Sequence, residues 1–249
     1  MEKYDKFDLQ DDQYEEPYHH FISMDGNLHK SLTWGLGYFG YISRVMHYIS
    51  VNKNNLKKLA DVGCGDGKLI LELAKGYPEK HFYGYDLSAR GINFAKAYSH
   101  GLSNVEFHNE DFSKSSINTF DIITCIETME HIPDEVILEF VSVLREKISD
   151  SGELIITVPS TVLALNKKHY RHYDEGVLKA QLSGKFEVET FEWLHNGEDS
   201  KLLRFLLINR FFVLRFESVR KLLISLYRRF YLISDSKKGE HLLALCRPI

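Results

Sequence analysis

An α/β fold built on a largely parallel sheet is what this 249-residue sequence predicts, and three observations lead there. From Leu56 onward, short apolar runs of strand length alternate with longer amphipathic segments. The first run passes straight into a glycine-rich turn. A content of 44% hydrophobic and 27% charged residues is that of a globular chain, which excludes disorder, collagen and low-complexity fibre.

Along the chain, residues 1–30 are polar with scattered aromatics (Tyr14, Tyr18, Phe21) and read as an arm. Apolar residues thicken over 32–50, and from Tyr38 their spacing is helical, so an aromatic helix near Trp34 packs on the α/β core. Residues 56–62 read as a strand, 68–75 as a helix, 82–85 as a strand, and 88–98 as a helix with Ser88 as its N-cap. Residues 105–108 form a short strand, and 120–126 are continuously apolar, as a strand covered on both faces must be. The segment 134–148 places Val136, Ile137, Phe140, Val141 and Leu144 on one helical face. A buried strand at 153–158, closed by Pro159, precedes a helix at 175–182 and a strand at 186–194. A mostly helical stretch at 201–232 and a strand at 241–246 complete the chain, with right-handed crossovers between parallel strands. The chain thus divides into an arm and lid helix (1–55), a ligand-binding core (56–198), a helical insertion (199–233) and a last core strand (234–249).

Charge is unevenly spread. The formal net charge is -4, yet residues 1–30 hold eight acids against three bases, and residues 199–249 eleven bases against four acids. A basic, aromatic-rich tail on an acidic body suits folding back onto that body; it also suits a phosphorylated ligand, a membrane surface or nucleic acid. The three cysteines, Cys64, Cys125 and Cys246, are far apart and odd in number, which excludes a disulfide framework and a cysteine zinc site. No run reaches the roughly 18 apolar residues needed to span a bilayer, and the acidic N-terminus lacks the regions of a signal peptide. A cytoplasmic protein is expected, with peripheral membrane contact through the basic tail left open.

The sharpest local signal is the strand-turn-helix around Gly63, Gly65 and Gly67. Glycines at alternate positions let the backbone turn tightly and approach a ligand with no Cβ in the way. Such loops also serve dinucleotides, and a tight turn without ligand is the competing account. Two acids sharpen the reading. Asp61, two residues before the first glycine, opposes a pyrophosphate but suits ammonium and sulfonium charge. Asp86, at the end of the next strand, is placed to take both hydroxyls of a ribose. Asp111 comes after the third strand. These features describe an adenosine with a cationic tail and no phosphate.

Taken in order, Asp61-Val-Gly-Cys-Gly-Asp-Gly67, Tyr85-Asp86-Leu-Ser88, Asn109-Glu-Asp111-Phe112 and Phe120-Asp-Ile-Ile-Thr-Cys-Ile-Glu127 resemble the motifs of class I S-adenosylmethionine-dependent methyltransferases. The resemblance covers about residues 56–195 and the last strand. It implies a Rossmann-like seven-stranded sheet with an N-terminal helical lid and a helical insertion before the last strand. It also implies S-adenosylmethionine as cofactor. Carried over, the methionine part lies on Asp61, Gly63, Cys64, Gly65 and Gly67, and the ribose on Asp86. Adenine falls to Asp111 with Phe112, and Leu87 and Ile126 complete the cofactor set. Glu110 departs from the family, whose members often carry glycine there.

Methyl transfer to an alcohol or phenol needs a positioned nucleophile and a proton acceptor. The end of the fourth strand carries Glu127-Thr-Met-Glu130-His131, which makes His131 the candidate general base. The same spacing lets Glu127, Glu130 and His131 converge on a divalent metal, as similar segments do in ubiquinone-pathway and small-RNA 2′-O-methyltransferases; a metal-free site is the preferred reading. After the fifth strand, the loop from Asn166 to Asp174 offers His169 and His172 as acceptor-binding residues, a second base or metal ligands, against the plain reading of a solvated polar loop. No Asp/Asn-Pro-Pro-Tyr tetrapeptide is present after the fourth strand, which favours oxygen over nitrogen as acceptor. The expected function is O-methylation of a small molecule such as a sugar, glycan precursor or lipid-linked intermediate. The alternatives are a metal-assisted RNA 2′-O-methyltransferase, which the negative net charge disfavours, and a cofactor-binding scaffold without catalysis. The oligomeric state is left open.

Overall fold

In the computed structural model, which describes residues 6–24, 34–52, 54, 56–117, 119–208 and 216–249, the short apolar runs become a sheet of eight strands among the described residues. Strands β1 (Lys58–Val62), β2 (His81–Tyr85), β3 (Val105–His108), β4 (Phe120–Ile126) and β5 (Ile148–Pro159) are parallel. The last strand, β8 (Gly239–Pro248), inserts antiparallel between β5 and β6 (Phe186–Asn196), and β7 (Ile233–Ser234) closes that edge. The order is β3-β2-β1-β4-β5-β8-β6-β7. The predicted seven strands are all present; the eighth is the two-residue β7, too short to register as an apolar run.

Period-two alternation decides how the sheet is covered. Leu59, Phe82, Ile122, Ile155 and Leu243 belong to one apolar cluster. Their neighbours Ala60, Tyr83, Ile123, Ile156 and Leu242 belong to the other. Helices α2 (Gly35–Asn52), α3 (Lys68–Gly76) and α4 (Ala89–Tyr98) contribute to the first cluster, whereas α5 (Ile137–Lys147) and α6 (Glu175–Leu182) contribute to the second. Ser88 caps α4 as expected, its hydroxyl accepting from the Gly91 N–H at 3.0 Å.

Among the described residues, the insertion between β6 and β8 holds two helices, α7 (Lys201–Leu207) and α8 (Glu217–Phe230), as the mostly helical reading expects. Residues 209–215, with Arg210, Phe211, Phe212 and Arg215, lie outside the described set, as do residues 1–5 and 25–33 of the predicted arm and lid. The described arm, α1 (Lys6–Asp11) and two one-turn helices (Asp12–Glu15 and Tyr18–Phe21), lies across the carboxyl ends of the parallel strands. No helix among the described residues is long and apolar enough to cross a membrane.

Candidate active site

The strand order reverses at β1, which lies between β2 and β4, and the carboxyl ends of strands at such a point leave a crevice. Here it is a cavity of about 1550 Å³. Its floor is the turn after β1. Gly63 has φ 80°, and a Cβ there would collide with the Thr128 side chain, so both the backbone and the space demand glycine. Gly67 (φ 76°) caps α3 and packs against Ala95 and Phe107.

Asp86 is held by two backbone donors. The Gly65 N–H reaches Oδ2 and the Ser88 N–H reaches Oδ1, both at 2.8 Å. Burial raises its carboxyl above the ordinary range, while these two donors work against the rise. Asp61 is buried and pushed up to about 7 by burial, partly offset by the Thr124 hydroxyl, which donates at 2.7 Å. Asp111 caps a one-turn helix by accepting from the Ser113 N–H, and the Phe112 ring packs edge-on to Tyr85 at 4.9 Å. Of the predicted cofactor residues, Asp61, Gly63, Cys64, Asp86, Leu87, Asp111, Phe112 and Ile126 line the cavity. Gly65 and Gly67 lie off its wall and shape the turn instead.

The opposite wall is assembled from β4, the loop after β5, and β8. Glu127, directly after β4, has φ 49°, a left-handed backbone costing about 1–2 kcal/mol. That conformation takes it out of the one-turn helix Met129–His131, so Glu127, Glu130 and His131 do not share a helical face as the spacing suggests. Instead Glu127 Oε2 accepts from His241 Nδ1 at 3.0 Å. The loop after β5 is no loose polar segment. Arg171 donates to the carbonyls of Met129 and Ile132 and pairs with Asp134, while the Tyr170 N–H donates to the Glu130 carbonyl at 2.7 Å. This clamp brings His169 to the place in the donor set predicted for Glu127: one ligand atom each from Glu130, His131 and His169 lies within 4.8 Å of the others.

The tautomers in this cluster are set by its partners. His172 Nδ1 faces the Leu163 carbonyl at 3.1 Å and must donate, so His172 Nε2 accepts from His169 Nδ1 at 2.8 Å. His169 Nε2 therefore presents a bare lone pair. His131 Nδ1 faces the Lys168 carbonyl at 3.3 Å, which leaves its Nε2 likewise bare. Burial, followed by the nearby Lys168 charge, lowers His131 to about 4; burial and the neighbouring His131 lower His169 to about 3. Both rings are neutral near pH 7. Glu130 is pushed the other way, well above the carboxylate range, by burial and by the Glu127 charge. Glu127 Oε1 and Glu130 Oε2 are buried without a hydrogen-bond partner. An unpaired buried carboxylate oxygen is expensive, and such atoms mark a place that a ligand, proton or cation completes.

His241 has no local signal in the sequence. His241 reaches the cleft because β8 runs antiparallel, which sets its N-terminal end beside the carboxyl end of β5 in the pair Pro159–His241. Burial opposes its charging, but the Glu127 carboxylate lifts it above the ordinary histidine value. From the arm, the His19 N–H and ring both bond the Asp66 carboxylate, at 3.1 and 3.0 Å. Burial alone would raise Asp66, yet His19 and His20 hold it below the usual range. The arm also reaches the far wall, where Lys6 donates to the His169 carbonyl and Lys168 to the Gln13 side chain at 2.7 Å.

Comparison with known proteins agrees with this geometry. Residues 53–197 match the family model described as a methyltransferase domain. A ubiquinone biosynthesis O-methyltransferase of Aromatoleum aromaticum is 34% identical over 82 residues, covering 31% of this chain and 34% of that protein. A small RNA 2′-O-methyltransferase of Mus musculus is 34% identical over 121 residues, covering 43% of this chain and 30% of that one. The chain thus spans about a third of the length of the curated relatives it matches. Among solved structures, the magnesium protoporphyrin IX methyltransferase of Synechocystis PCC 6803 with bound S-adenosylmethionine superposes with a TM-score of 0.60. It is 16% identical, with 99% of this chain and 98% of that one covered, a likeness of fold.

Proposed function

The chain belongs to the class I S-adenosylmethionine-dependent methyltransferases, and from that premise we propose that it moves the methyl group of S-adenosylmethionine to a hydroxyl of a small molecule. One observation carries this reading: a single cavity is floored by Gly63, Cys64 and Asp86 and walled by Glu127, Glu130 and His131. In our assignment the methionine part lies over Gly63 and Cys64, Asp86 takes the ribose hydroxyls, and Asp111 with Phe112 flanks the adenine. Asp61, ionised by the approach of the cationic ligand, balances its charge. The sulfonium supplies the electrophile, so the protein must align the acceptor oxygen and receive its proton. His131 Nε2, bare and on the cavity wall, is the proton acceptor, and the Glu130 carboxyl lies 3.8 Å from it. Glu127, held by His241, supplies the second carboxylate for the acceptor's polar groups.

A divalent cation also fits this wall. Two neutral imidazoles with free lone pairs and two buried, unpartnered carboxylate oxygens are a competent donor set. Glu130, His131 and His169 would hold the ion, and its chemistry there would be to lower the pKa of the acceptor hydroxyl. The ubiquinone biosynthesis O-methyltransferase and the small RNA 2′-O-methyltransferase among its relatives support oxygen as the acceptor atom.

Transfer of labelled methyl from S-adenosylmethionine to fractionated cell extract tests the proposal. Label is expected in base-stable small molecules and absent from RNA and protein. Label confined to RNA, or no enzyme-dependent label at all, would overturn it. Repeating the assay with chelator separates the two forms of the wall: retained turnover excludes the metal-assisted one.

A further inference from the structure

We propose that the outer face of the α7–α8 insertion docks on an anionic lipid bilayer. Helix α8 has two apolar faces where a helix covering a core needs one. The inner face carries Ile224 and Tyr227, both buried; the Tyr227 hydroxyl meets His195 Nδ1 at 2.9 Å, and its ring packs against Gly40 of α2. The outer face carries Val219, Leu222, Leu226 and Phe230, spaced three, four and four residues apart, and all four are exposed. Leu222 and Phe230 are each 58% exposed, and Phe216 at the start of the helix reaches 72%. This is an apolar stripe at helical period turned to solvent, not scattered surface leucines.

Charge identifies what covers the stripe. The described residues of the insertion, 201–208 and 216–230, carry six bases (Lys201, Arg204, Arg220, Lys221, Arg228, Arg229) and one acid, Glu217. Glu217 pairs with Lys221 at 2.6 Å and Lys201 with Glu198 at 3.7 Å, and the Arg229 guanidinium lies 5.4 Å from the Phe230 ring at the edge of the stripe. A second copy of the chain docked through the same face would set these cations against their like. A bilayer with anionic headgroups meets both features at once, taking the apolar stripe into the acyl boundary and Arg229 at headgroup level. The contact is interfacial, since no described helix can span. Helix α8 packs on the back of α2, where Arg228 lies over Phe39, and α2 turns Tyr38 and Tyr41 to the cavity; docking thus holds the cleft one helix layer from the lipid.

Flotation of the full chain with vesicles tests this. Binding is expected to phosphatidylcholine vesicles containing about 30% phosphatidylglycerol, and not to phosphatidylcholine alone, and it should weaken as salt rises to about 0.3 M. The double variant Leu222→Asp/Leu226→Asp should lower the bound fraction at least about tenfold, and Arg229→Gln about fivefold. All three side chains are exposed, so melting temperature and S-adenosylhomocysteine affinity should stay those of the unmodified chain, which separates failure here from failure of the methyltransferase reading. Binding to neither vesicle, equal binding to both, or variants that float like the parent would overturn the proposal. So would a dimer in sedimentation velocity that the double variant dissociates, which would assign the face to a second copy.

Discussion

At the floor of the cleft both carboxylate oxygens of Asp86 are met by backbone N–H groups, whereas on the opposite wall Glu127 and Glu130 each bury an oxygen that meets no donor. The floor is built from residues close in the chain: a strand end, a glycine turn and the next strand end. Its geometry is complete before any ligand arrives, as expected where a site must orient one fixed nucleoside. The wall is drawn from β4, the loop after β5 and β8, segments more than a hundred residues apart at their extremes. It carries raised and lowered pKa values side by side, with Glu130 pushed up and His131 and His169 pushed down. The floor is made to bind, and the wall is left unfinished so that the acceptor or a cation completes it.

The contrast breaks most visibly if the floor does not act alone. Asp86→Ala should weaken S-adenosylhomocysteine binding by at least about a hundredfold in calorimetry, with the circular dichroism spectrum unchanged. Equal affinity would remove the ribose assignment and with it the division of the cleft. Next in size is the wall. Manganese binding monitored by electron paramagnetic resonance should be lost by more than about tenfold in Glu130→Gln and in His169→Ala. If the unmodified protein leaves the manganese spectrum free, the wall works by His131 alone.

A smaller effect concerns pH. The Asp61 carboxyl, raised to about 7 by burial, favours the protonated form in the free protein, and that contribution to stability is lost as pH rises through the raised value. A cationic ligand binds the ionised form and expels the proton. Cofactor affinity should therefore rise about tenfold from pH 6 to pH 8 and then level off. A flat profile would mean that the cationic tail does not face Asp61. The smallest effect is on stability. His241 is raised above its unfolded value by Glu127, so its contribution is full below the ordinary histidine pKa and fades as pH climbs through the raised one. His241→Gln should then cost about 1–3 kcal/mol in denaturant unfolding at pH 6, and less at pH 9.

Legibility in the sequence obeys the same division. The strand bounds of β3 and β4, the Ser88 cap, the glycine turn and the acids at strand ends all depend on neighbours within a few residues, and each has a period or a motif. The wall depends on topology. Nothing local marks His241, which enters the cleft only because β8 is antiparallel, and nothing local tells that the left-handed backbone at Glu127 breaks the helical face its spacing from Glu130 suggests. The arm is visible as an aromatic, acidic segment, but its bonds from His19 and His20 to Asp66 are long-range and leave no spacing to read. In the insertion, helical content is visible, while the choice of which apolar face is buried is made by Gly40 and His195.

The central claim, a nucleoside floor that works independently of a reactive wall, is tested most directly by calorimetric titration of S-adenosylhomocysteine into the parent chain and Glu130→Gln at about pH 8. One site per chain with affinities equal within about twofold is the predicted result. Absence of binding to the parent chain, or loss of binding in Glu130→Gln while the fold is retained, would contradict it.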